Sequence, residues 1–584
     1  MNLAGMISTK PFNYDYCNNI LEKLQSSFIR SNNEDYIKWS IKEENVAITY
    51  LEGMNTYYCH NNMYIFICGE IFNVKELEED LILTASIEND SYVAHLILQG
   101  YYKYGKSYFD KLDGQFAIFI WDSNTRQLLF ASDNYNSIPI YYYMNQDELY
   151  FSTYLPSLVK LIGKKTINPV AIYSYIAMQS IMIGDMTIFK EYKKLPIGSC
   201  LTTNIGNCEL SCNQSVYFTH KFQIDPEITF EGLVTSAKQL LLESIESRCK
   251  KNLPCVWLSG GLDSSLLVAI LKRDFGYTPS TFSIGFNEFC GEEGNEFEYS
   301  RYVAQKYNCD HKELFITNDE LNENIRQTLH LSSEPMISND SLGYLLLGKY
   351  SKQEGFESAF SGLGPDEAWY GYKWHRDILN TNLNKKELFY DLFLEYKIDD
   401  VNDILNHQWD KGREFIDKVS KYIDLLPNDP YESAIISNLN LILPEDPIKR
   451  TYNVVINNKI KIRAPFLSKK LIQLSLSTSH ANKLHNQEGK AVLKSIASEY
   501  FDHDFIYREK HHFAIPEIKY ASGNVYEFCK EVLNSKACLD RQLFKQEKIQ
   551  KFIDDKKGKV ERLGGNLLWE LACLESWLQQ FDER

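Results

Sequence analysis

The sequence predicts an α/β protein whose two parts differ in architecture. Up to about residue 215, short runs of β-branched and aromatic residues indicate two stacked sheets with helices outside them. From residue 230 to about residue 362, strand and helix patterns alternate, which favours a parallel sheet. Beyond residue 372 the pattern is helical to the end. A polar, proline-containing stretch at residues 219–229 is therefore predicted to link the two parts.

In the first part, strands are predicted where apolar runs are bounded by glycine, asparagine and aspartate. These runs are residues 64–71 (YIFICGEI), 115–121 (QFAIFIW), 127–131 and 138–143. Residues 91–104 place apolar side chains at helical spacing, which predicts an outer helix.

In the second part, a helix is predicted first, because apolar side chains recur on one helical face. Its apolar positions are Phe230, Leu233, Val234, Ala237, Leu241 and Ile245. Residues 254–258, 280–286 and 356–360 follow as predicted strands, and residues 566–581 form an amphipathic helix at the end.

Composition excludes several classes of partner. The chain has 584 residues and a formal net charge of −16, which argues against binding to nucleic acid or to an anionic membrane. We see no secretory signal and no apolar run of the ~20 residues that span a bilayer. The 13 cysteines form no C-x-x-C pair, so we expect reduced thiols in a cytoplasmic protein. The oligomeric state stays open.

The stretch LSGGLDSS at residues 258–265 is predicted to bind phosphate. It lies between a buried strand and a helix, so its glycines can bring backbone N–H groups and the helix dipole to an anion. The side chains of Ser259, Ser264 and Ser265 can donate hydrogen bonds to phosphate oxygens. Asp263 would repel phosphate by itself, which predicts that it binds a bridging Mg²⁺. The spacing is not that of the Walker loop.

A second loop, SGLGPDEAWYGY at residues 361–372, follows the strand predicted at 356–360. It should lie at the same sheet edge as the first loop, which makes Asp366 a second predicted Mg²⁺ ligand.

Two lysines, one within a third stretch and one in the helical segment before it, are candidate catalytic cations. Lys490 is the second residue of GKAVLKS, residues 489–495. Lys510 lies within the third stretch, REKHHFAIP at residues 508–516. Either could neutralise pyrophosphate or stabilise the charge of an acyl-transfer transition state.

In this order, the three stretches resemble the asparagine synthetase family of ATP-pyrophosphatase ligases. Further similar segments are residues 443–467, which end in RAPFL, and two in the first part, LDGQFAIFIWD at 112–122 and IPIYY at 138–142. The resemblance implies an Ntn-hydrolase-like αββα glutaminase domain at residues 1–215. It also implies a synthetase domain at residues 228–584, with an adenine-nucleotide α-hydrolase-like parallel sheet.

The resemblance also implies a reaction and a set of site residues. A substrate carboxylate attacks the α-phosphate of ATP, giving an acyl-adenylate and pyrophosphate, and an amine then displaces AMP. ATP and Mg²⁺ are the implied cofactors, and the catalytic residues are Lys510, Lys490 and Glu367. The implied nucleotide-binding residues are Leu258, Ser259, Gly260, Gly261, Asp263, Ser264, Ser265, Ser283, Ile284, Gly285, Ser361, Gly362 and Gly364.

The first domain departs from the family pattern where glutamine is hydrolysed. Asn2 stands in place of the nucleophilic cysteine, and an amide cannot serve as that nucleophile. Cys68 replaces the asparagine of the oxyanion-hole Asn-Gly pair, and the arginine that clamps glutamine is not visible around residues 47–53. We therefore expect an inactive glutaminase domain that is retained as a support. Cys68 lies within a predicted strand and is not expected to replace the nucleophile.

The synthetase domain departs on the side of the acceptor. Leu363 stands where asparagine synthetases have glutamate and β-lactam-forming relatives have tyrosine, and it cannot exchange a proton. Four further positions differ from the family pattern in and after the 443–467 segment: Tyr452, Val455, Lys461 and Ser468. Residues 294–305 (GNEFEYSRYVAQ) resemble β-lactam and carbapenam synthetases and lasso-peptide cyclases more than asparagine synthetase.

These features favour a ligase that joins an amine and a carboxylate of one molecule, as a lasso-peptide-type macrolactam or lactam cyclase. The expected partners are the carboxylate and amine substrate, for example a precursor peptide with its leader-binding and protease proteins. Two alternatives stay open. One is an asparagine synthetase that uses free ammonia, and the other is a non-catalytic nucleotide-binding scaffold.

Overall fold

The computed structural model describes residues 3–10, 14–27, 36–41, 46–51, 55–83, 90–206, 210–249, 253–337, 340–455, 458–508, 515–555 and 566–582. The chain divides into two compact units. The first comprises Met1–Asn168 and Gly184–Thr219, and the second comprises Pro169–Ile183 and His220–Arg584.

Within the described residues, the first unit contains two six-stranded antiparallel sheets. Their strands are β1 (Leu3–Ser8), β2 (Tyr36–Ile41), β3 (Val46–Leu51), β4 (Asn55–His60), β5 (Met63–Ile71), β6 (Gly114–Asp122), β7 (Gln127–Ser132), β8 (Tyr141–Met144), β9 (Glu148–Ser152), β10 (Lys193–Lys194), β11 (Ser199–Ile205) and β12 (Leu210–Val216). One sheet has the order β10-β8-β9-β1-β3-β2 and the other β12-β11-β7-β6-β5-β4.

The two sheets pack face to face. The rings of Phe119 in β6 and Phe130 in β7 lie 5.3 and 5.0 Å, centroid to centroid, from the ring of Phe151 in β9. The helices α1 (Tyr14–Ser27) and α4 (Leu155–Ile162) pack on the sheet that contains β9. The helix α3 (Asp90–Tyr104) packs on β4 and β5 of the other sheet, and α2 (Val74–Leu81) packs against α3. This arrangement confirms the predicted αββα sandwich.

The second unit is built on a parallel sheet of five strands among the described residues. These are β13 (Cys255–Trp257), β14 (Ser280–Phe286), β15 (Asp310–Ile316), β16 (Ser358–Phe360) and β17 (Lys461–Arg463), in the order β15-β14-β13-β16-β17. The central strand β13 is wholly buried. The predicted α/β class with a parallel sheet is confirmed.

The helices of the second unit lie around this sheet and fill the C-terminal region. They are α5 (Pro169–Met178), α6 (Phe230–Cys249), α7 (Leu262–Arg273), α8 (Phe297–Lys306), α9 (Asn318–Leu331), α10 (Ser341–Gln353), α11 (Pro365–Ala368), α12 (Trp374–Asp377), α13 (Lys385–Phe393), α14 (Ile398–Ile404), α15 (Gly412–Asp424), α16 (Pro430–Ser437), α17 (Lys449–Val455), α18 (Lys469–Leu476), α19 (His480–Lys483), α20 (Ala491–Ala497), α21 (His503–Tyr507), α22 (Pro516–Lys519), α23 (Gly523–Leu533), α24 (Lys536–Arg541), α25 (Gln546–Asp554) and α26 (Leu567–Gln579).

Two features differ from the sequence-based expectations. The region beyond residue 372 is not helical throughout, because β17 pairs with β16 in parallel at the edge of the sheet. The segment Pro169–Ile183 belongs to the second unit, although the predicted first domain, residues 1–215, includes it. Its fully buried helix α5 is tied to the second unit by a 3.0 Å hydrogen bond from Tyr175 to the carbonyl of Glu570.

Candidate functional site

The loop between β13 and α7 has a backbone that only glycine accommodates. Gly260 has a φ of +83°, and a Cβ there would lie 2.9 Å from the backbone nitrogen of Ser300. The carbonyl of Gly260 accepts a hydrogen bond from Arg508, whose guanidinium lies 4.2 Å from the ring centroid of Tyr299. Gly261 then caps α7, so the helix N-terminus opens directly at this loop.

The serines of the loop fall into two groups. The hydroxyls of Ser259 and Ser264 lie 3.1 Å apart, and Ser259 also accepts a hydrogen bond from the amide of Gly261. Both serines line a cavity at the carboxyl end of the sheet. Ser265 is fully buried on α7, and its hydroxyl has no hydrogen-bond partner among the described residues. Two of the three serines therefore lie where a phosphate could reach them.

The second loop packs directly on the first. It follows β16, and a Cβ at Gly362 would lie only 3.1 Å from both the Cβ of Asp263 and the amide of Ser264. Ser361, Gly362 and Gly364 line the same cavity as the first loop. The two loops therefore meet at one edge of the sheet, as predicted.

A buried lysine joins the two predicted metal ligands. The Nζ atom of Lys490 lies 2.6 Å from Asp263 Oδ2 and 2.9 Å from Asp366 Oδ1, and its side chain is only 8% exposed. Burial alone would lower the pKa of Lys490, but the two carboxylates raise it above its usual value. The lysine is therefore a charged ammonium, and it offsets part of the negative charge of the carboxylate pair.

The backbone holds Lys490 in place as well. Lys490 has a φ of +56° at the start of α20, and its amide donates to the carbonyl of Trp369, 3.1 Å away. A left-handed conformation is unfavourable for a lysine and needs such support.

Glu367 lies beside this cluster and is almost inaccessible, with 3% of its surface exposed. Tyr372 donates a 2.6 Å hydrogen bond to its Oε1 atom. Burial, and then the neighbouring charge of Asp366, raise the pKa of Glu367 to about 7. This carboxyl group can therefore exchange a proton near neutral pH.

The cavity has a volume of about 270 Å³ and three kinds of wall. The two loops form one wall. Phe282, Ser283, Ile284 and Phe297 form another, which is largely apolar, and Ser283 donates to the carbonyl of Leu258 at 2.5 Å. The third wall carries Asp340, Tyr344 and Arg450, which the sequence analysis did not single out. Arg450 lies within residues 443–467. The resemblance of that segment to the family did not assign a role to the Arg450 side chain.

The comparisons with known proteins agree with this geometry. A family model described as asparagine synthase matches residues 236–579, and one described as a glutamine amidotransferase domain matches residues 53–217. The first match covers more than half of the chain. The chain belongs to the asparagine synthetase family. It is accordingly a carbon–nitrogen ligase.

Three relatives show the level of sequence identity. Asparagine synthetase [glutamine-hydrolyzing] 1 of Bacillus subtilis is 22% identical over 88% of this chain and 85% of its own length. A putative asparagine synthetase 2 of Methanocaldococcus jannaschii is 28% identical over 53% of this chain and 58% of its own. Amidase chry2 of Gibberella zeae is 24% identical over 53% of this chain and 47% of its own.

The structure places the family's predicted nucleotide residues unevenly around the cavity. Those that line it are Leu258, Ser259, Gly261, Asp263, Ser264, Ser283, Ile284, Ser361, Gly362 and Gly364, together with Asp366 and Glu367. Gly260, Ser265 and Gly285 are outside the lining, because they shape the backbone or pack in the interior. Lys510 lies outside the described residues.

Of the predicted acceptor-side substitutions, Leu363 lines the cavity. Tyr452 is buried, Lys461 lies on β17, and Ser468 precedes α18, and none of these three is a lining residue. The side chain of Val455 is outside the described residues.

In the first unit, Asn2 also lies outside the described residues. Cys68 is fully buried in β5, and burial raises the pKa of its thiol to about 12. A thiol in this state is not an activated nucleophile.

Among the residues that the structure describes, no cluster of three or more histidine, cysteine, aspartate or glutamate side chains could hold a metal ion. Among the described helices, none combines the length and apolar composition that crossing a bilayer requires.

Proposed function

We propose that this ligase adenylates a substrate carboxylate with ATP and joins the acyl group to an amine. The observation that carries the proposal is the cavity where the SGGLDSS and SGLGPDE loops meet around the Lys490–Asp263–Asp366 cluster. A carboxylate oxygen attacks the α-phosphorus and pyrophosphate leaves. The amine nitrogen then attacks the acyl carbon, loses a proton, and AMP leaves.

In the first step the chain binds the triphosphate and orients it. The hydroxyls of Ser259 and Ser264 and the N-terminus of α7 are donors at one end of the cavity. The apolar wall around Ile284 suits a purine ring, since it offers apolar contact next to backbone groups of β14.

The carboxylate pair fits a divalent cation. Asp263 and Asp366 converge on one positive charge, the ammonium of Lys490, and Mg²⁺ in proteins is commonly bound by one or two carboxylates with substrate phosphates. Asp263 and Asp366 would hold Mg²⁺, which supplies neutralising charge for the phosphates. Lys490, which contacts both carboxylates, would add a positive charge beside that site.

In the second step Glu367 takes the proton of the amine. It lies at the cavity wall, and Tyr372 holds one of its oxygens. Lys510 is the proposed cation for the developing acyl oxyanion, as the family resemblance implies.

We further propose that the product is a lactam, formed within one molecule as a lasso-peptide-type macrolactam or a smaller ring. A precursor peptide with its leader-binding and protease proteins is the proposed partner set. Two observations support this proposal. Leu363 gives the cavity an aliphatic side chain that cannot exchange a proton. The first unit has Asn2 at the nucleophile position and an inert Cys68, so ammonia from glutamine is not the proposed nitrogen source.

The test is the product of ATP cleavage. Purified full-length protein, MgATP and a panel of aminocarboxylates and peptides should release AMP and pyrophosphate with one substrate class. Release of ADP and phosphate would contradict the proposal. So would the absence of cleavage with every substrate while ATP remains bound.

A second candidate is asparagine formation from aspartate and free ammonia. The relatives from Bacillus subtilis and Methanocaldococcus jannaschii, an asparagine synthetase and a putative one, favour it. Incubation with aspartate, ammonium and MgATP decides it by the appearance of asparagine.

A further inference from the structure

The guanidinium of Arg508 reaches the glycine-rich loop from outside the cavity. Its Nη2 atom donates a hydrogen bond to the carbonyl of Gly260, which is 248 residues away in the sequence. Neither residue belongs to the described residues that line the cavity. Arg508 therefore contacts the loop that would bind the phosphates, and not the space that the phosphates would occupy.

The other contacts of the guanidinium hold it in one place. Nη1 donates a 2.8 Å hydrogen bond to the carbonyl of Phe505, and Cζ lies 4.5 Å from the centroid of the Phe505 ring. Cζ also lies 4.2 Å from the centroid of the Tyr299 ring on α8. A planar guanidinium can stack on aromatic rings while its N–H groups donate in the plane. The donor to Gly260 is thus fixed by two rings and a second carbonyl.

This hydrogen bond sets the direction of one peptide group. The carbonyl of Gly260 and the amide of Gly261 belong to the same planar peptide, so the C=O and the N–H point in opposite directions. The Gly261 amide donates to Ser259 Oγ over 3.2 Å. Arg508 therefore acts on one side of a peptide whose other side holds a serine of the cavity wall.

The bond from Gly261 also decides the role of the Ser259 hydroxyl. Since Ser259 Oγ accepts from the amide, its own hydrogen is available for another acceptor. Ser264 Oγ, 3.1 Å away, can accept this hydrogen, and Ser264 in turn reaches the carbonyl of Gly261 over 3.3 Å. A phosphate oxygen in the cavity can take the place of Ser264 as the acceptor. Both hydroxyls are thus oriented through the peptide that Arg508 holds.

We propose that Arg508 is a positioning residue for the leaving pyrophosphate: through the Gly260–Gly261 peptide it orients the hydroxyls of Ser259 and Ser264 toward phosphate oxygens. This inference rests on the proposed function, because it concerns the phosphate groups that leave in that reaction. It predicts a selective effect. Ligands that carry the β- and γ-phosphates should depend on Arg508, and ligands without them should not.

The experiment measures the affinities of the full chain for MgATP and for AMP by isothermal titration calorimetry. AMP lacks the two phosphates that leave as pyrophosphate. Arg508→Met removes the donors but keeps an aliphatic chain. We expect it to lower the affinity for MgATP at least tenfold and to change the affinity for AMP less than twofold. Arg508→Lys keeps one donor for the Gly260 carbonyl and should recover part of the MgATP affinity.

The matched control is Arg273→Met. Arg273 also donates to a backbone carbonyl, that of Glu499, and its guanidinium lies 5.0 Å from the ring centroid of Tyr500. It lies in the last turn of α7, and it is not a lining residue. Both affinities should stay within twofold of those of the unaltered protein.

A double-mutant cycle tests the route through the peptide. When Ser259→Ala has removed the hydroxyl, the further change Arg508→Met should lower the MgATP affinity less than threefold, because the two residues act as one unit. Additive losses would overturn the inference, since Arg508 would then act without Ser259.

Two other results would overturn it: an unchanged MgATP affinity in Arg508→Met, or equal losses for MgATP and AMP. Where Arg508→Met does not fold, Arg508→Lys decides the question. A selective loss of MgATP affinity of about threefold supports the inference, and no loss or equal losses for both ligands contradict it. Release of AMP and pyrophosphate by the unaltered protein is measured in parallel. Its absence while MgATP binds would contradict the proposed function, whereas its presence with an Arg508-independent MgATP affinity would contradict this inference alone.

Discussion

The ammonium of Lys490 lies 2.6 Å from the carboxylate of Asp263, on the first turn of the helix that follows the glycine-rich loop. This contact joins two stretches that are 227 residues apart in the sequence. Since Asp366 is bound to the same ammonium, one lysine holds both phosphate-side loops together. The contact thus ties the two loops to each other through one side chain.

The first prediction concerns this cluster. Lys490→Met leaves two carboxylates without their buried counter-charge, so the free energy of unfolding should fall by about 3 kcal/mol. Urea unfolding measures the loss. Lys494→Met is the matched control, because its partner Glu488 is 39% exposed and the pair contributes little.

Added Mg²⁺ extends this test. It should restore part of the stability of Lys490→Met, since it can take the place of the ammonium between Asp263 and Asp366. A variant as stable as the unaltered protein without Mg²⁺ would show that the carboxylates do not need compensation.

The second prediction concerns the backbone of the loop. Gly260→Ala should lower the free energy of unfolding by about 2–3 kcal/mol and weaken ATP binding. Its Cβ meets the backbone of Ser300 in addition to the left-handed strain. Gly276→Ala has a similar φ of +71° but no neighbour within 4 Å. It should cost only about 1 kcal/mol and leave ATP binding unchanged, and equal effects of the two variants would refute the argument.

The third prediction concerns proton transfer. Glu367→Gln should slow amide formation by about 10² or more, because the amide side chain cannot accept the proton. Exchange of pyrophosphate into ATP should stay within a few-fold, since adenylation does not need this base. Tyr372→Phe keeps the carboxylate and removes its hydrogen bond, so a smaller effect is expected. Loss of both half-reactions in Glu367→Gln would assign Glu367 to nucleotide binding instead.

The fourth prediction concerns acid stability. His220 is buried and bonded to Asn440, and burial lowers its pKa to about 4. Because this folded-state pKa lies below the unfolded value of about 6.5, its stabilising contribution is present above pH 6.5. That contribution is lost as the pH falls toward 4, and amounts to about 2 kcal/mol at pH 5.

Urea unfolding at pH 7 and pH 5 measures this loss. His220→Gln should reduce the difference between the two pH values by about 2 kcal/mol. His503→Gln is the control, because its side chain is 79% exposed. An unchanged difference in His220→Gln would refute the assignment.

The fifth prediction concerns the first unit. Iodoacetamide should modify the exposed Cys59 and Cys290 in the native protein and leave the buried Cys68 intact. Cys68→Ala should leave amide formation unchanged, and the unaltered protein should release no glutamate from glutamine. Glutamate release that disappears in Cys68→Ala would show that this thiol is a nucleophile after all.

Much of the fold followed from local patterns. The strand predicted at residues 64–71 is β5, Met63–Ile71, because a run of β-branched and aromatic residues bounded by turn residues is a local property. The strand predicted at residues 138–143 begins only at Tyr141, since it pairs with β9 from that residue onward. β17 was missed because three residues carry too little pattern, and its pairing with β16 is a distant contact.

The sequence by itself determined the strand–loop–helix device at residues 258–265, the second loop at residues 361–372 and the α/β class. These depend on glycine, capping residues and periodicity over a few neighbouring residues. The tertiary structure alone decided which charges face each other. Lys490 was a candidate for pyrophosphate binding, and its place between Asp263 and Asp366 emerged only in three dimensions. Arg450 and Asp340 are 110 residues apart and carry no shared motif. Ion pairs and cavity walls are set by how distant segments pack, which no local pattern encodes.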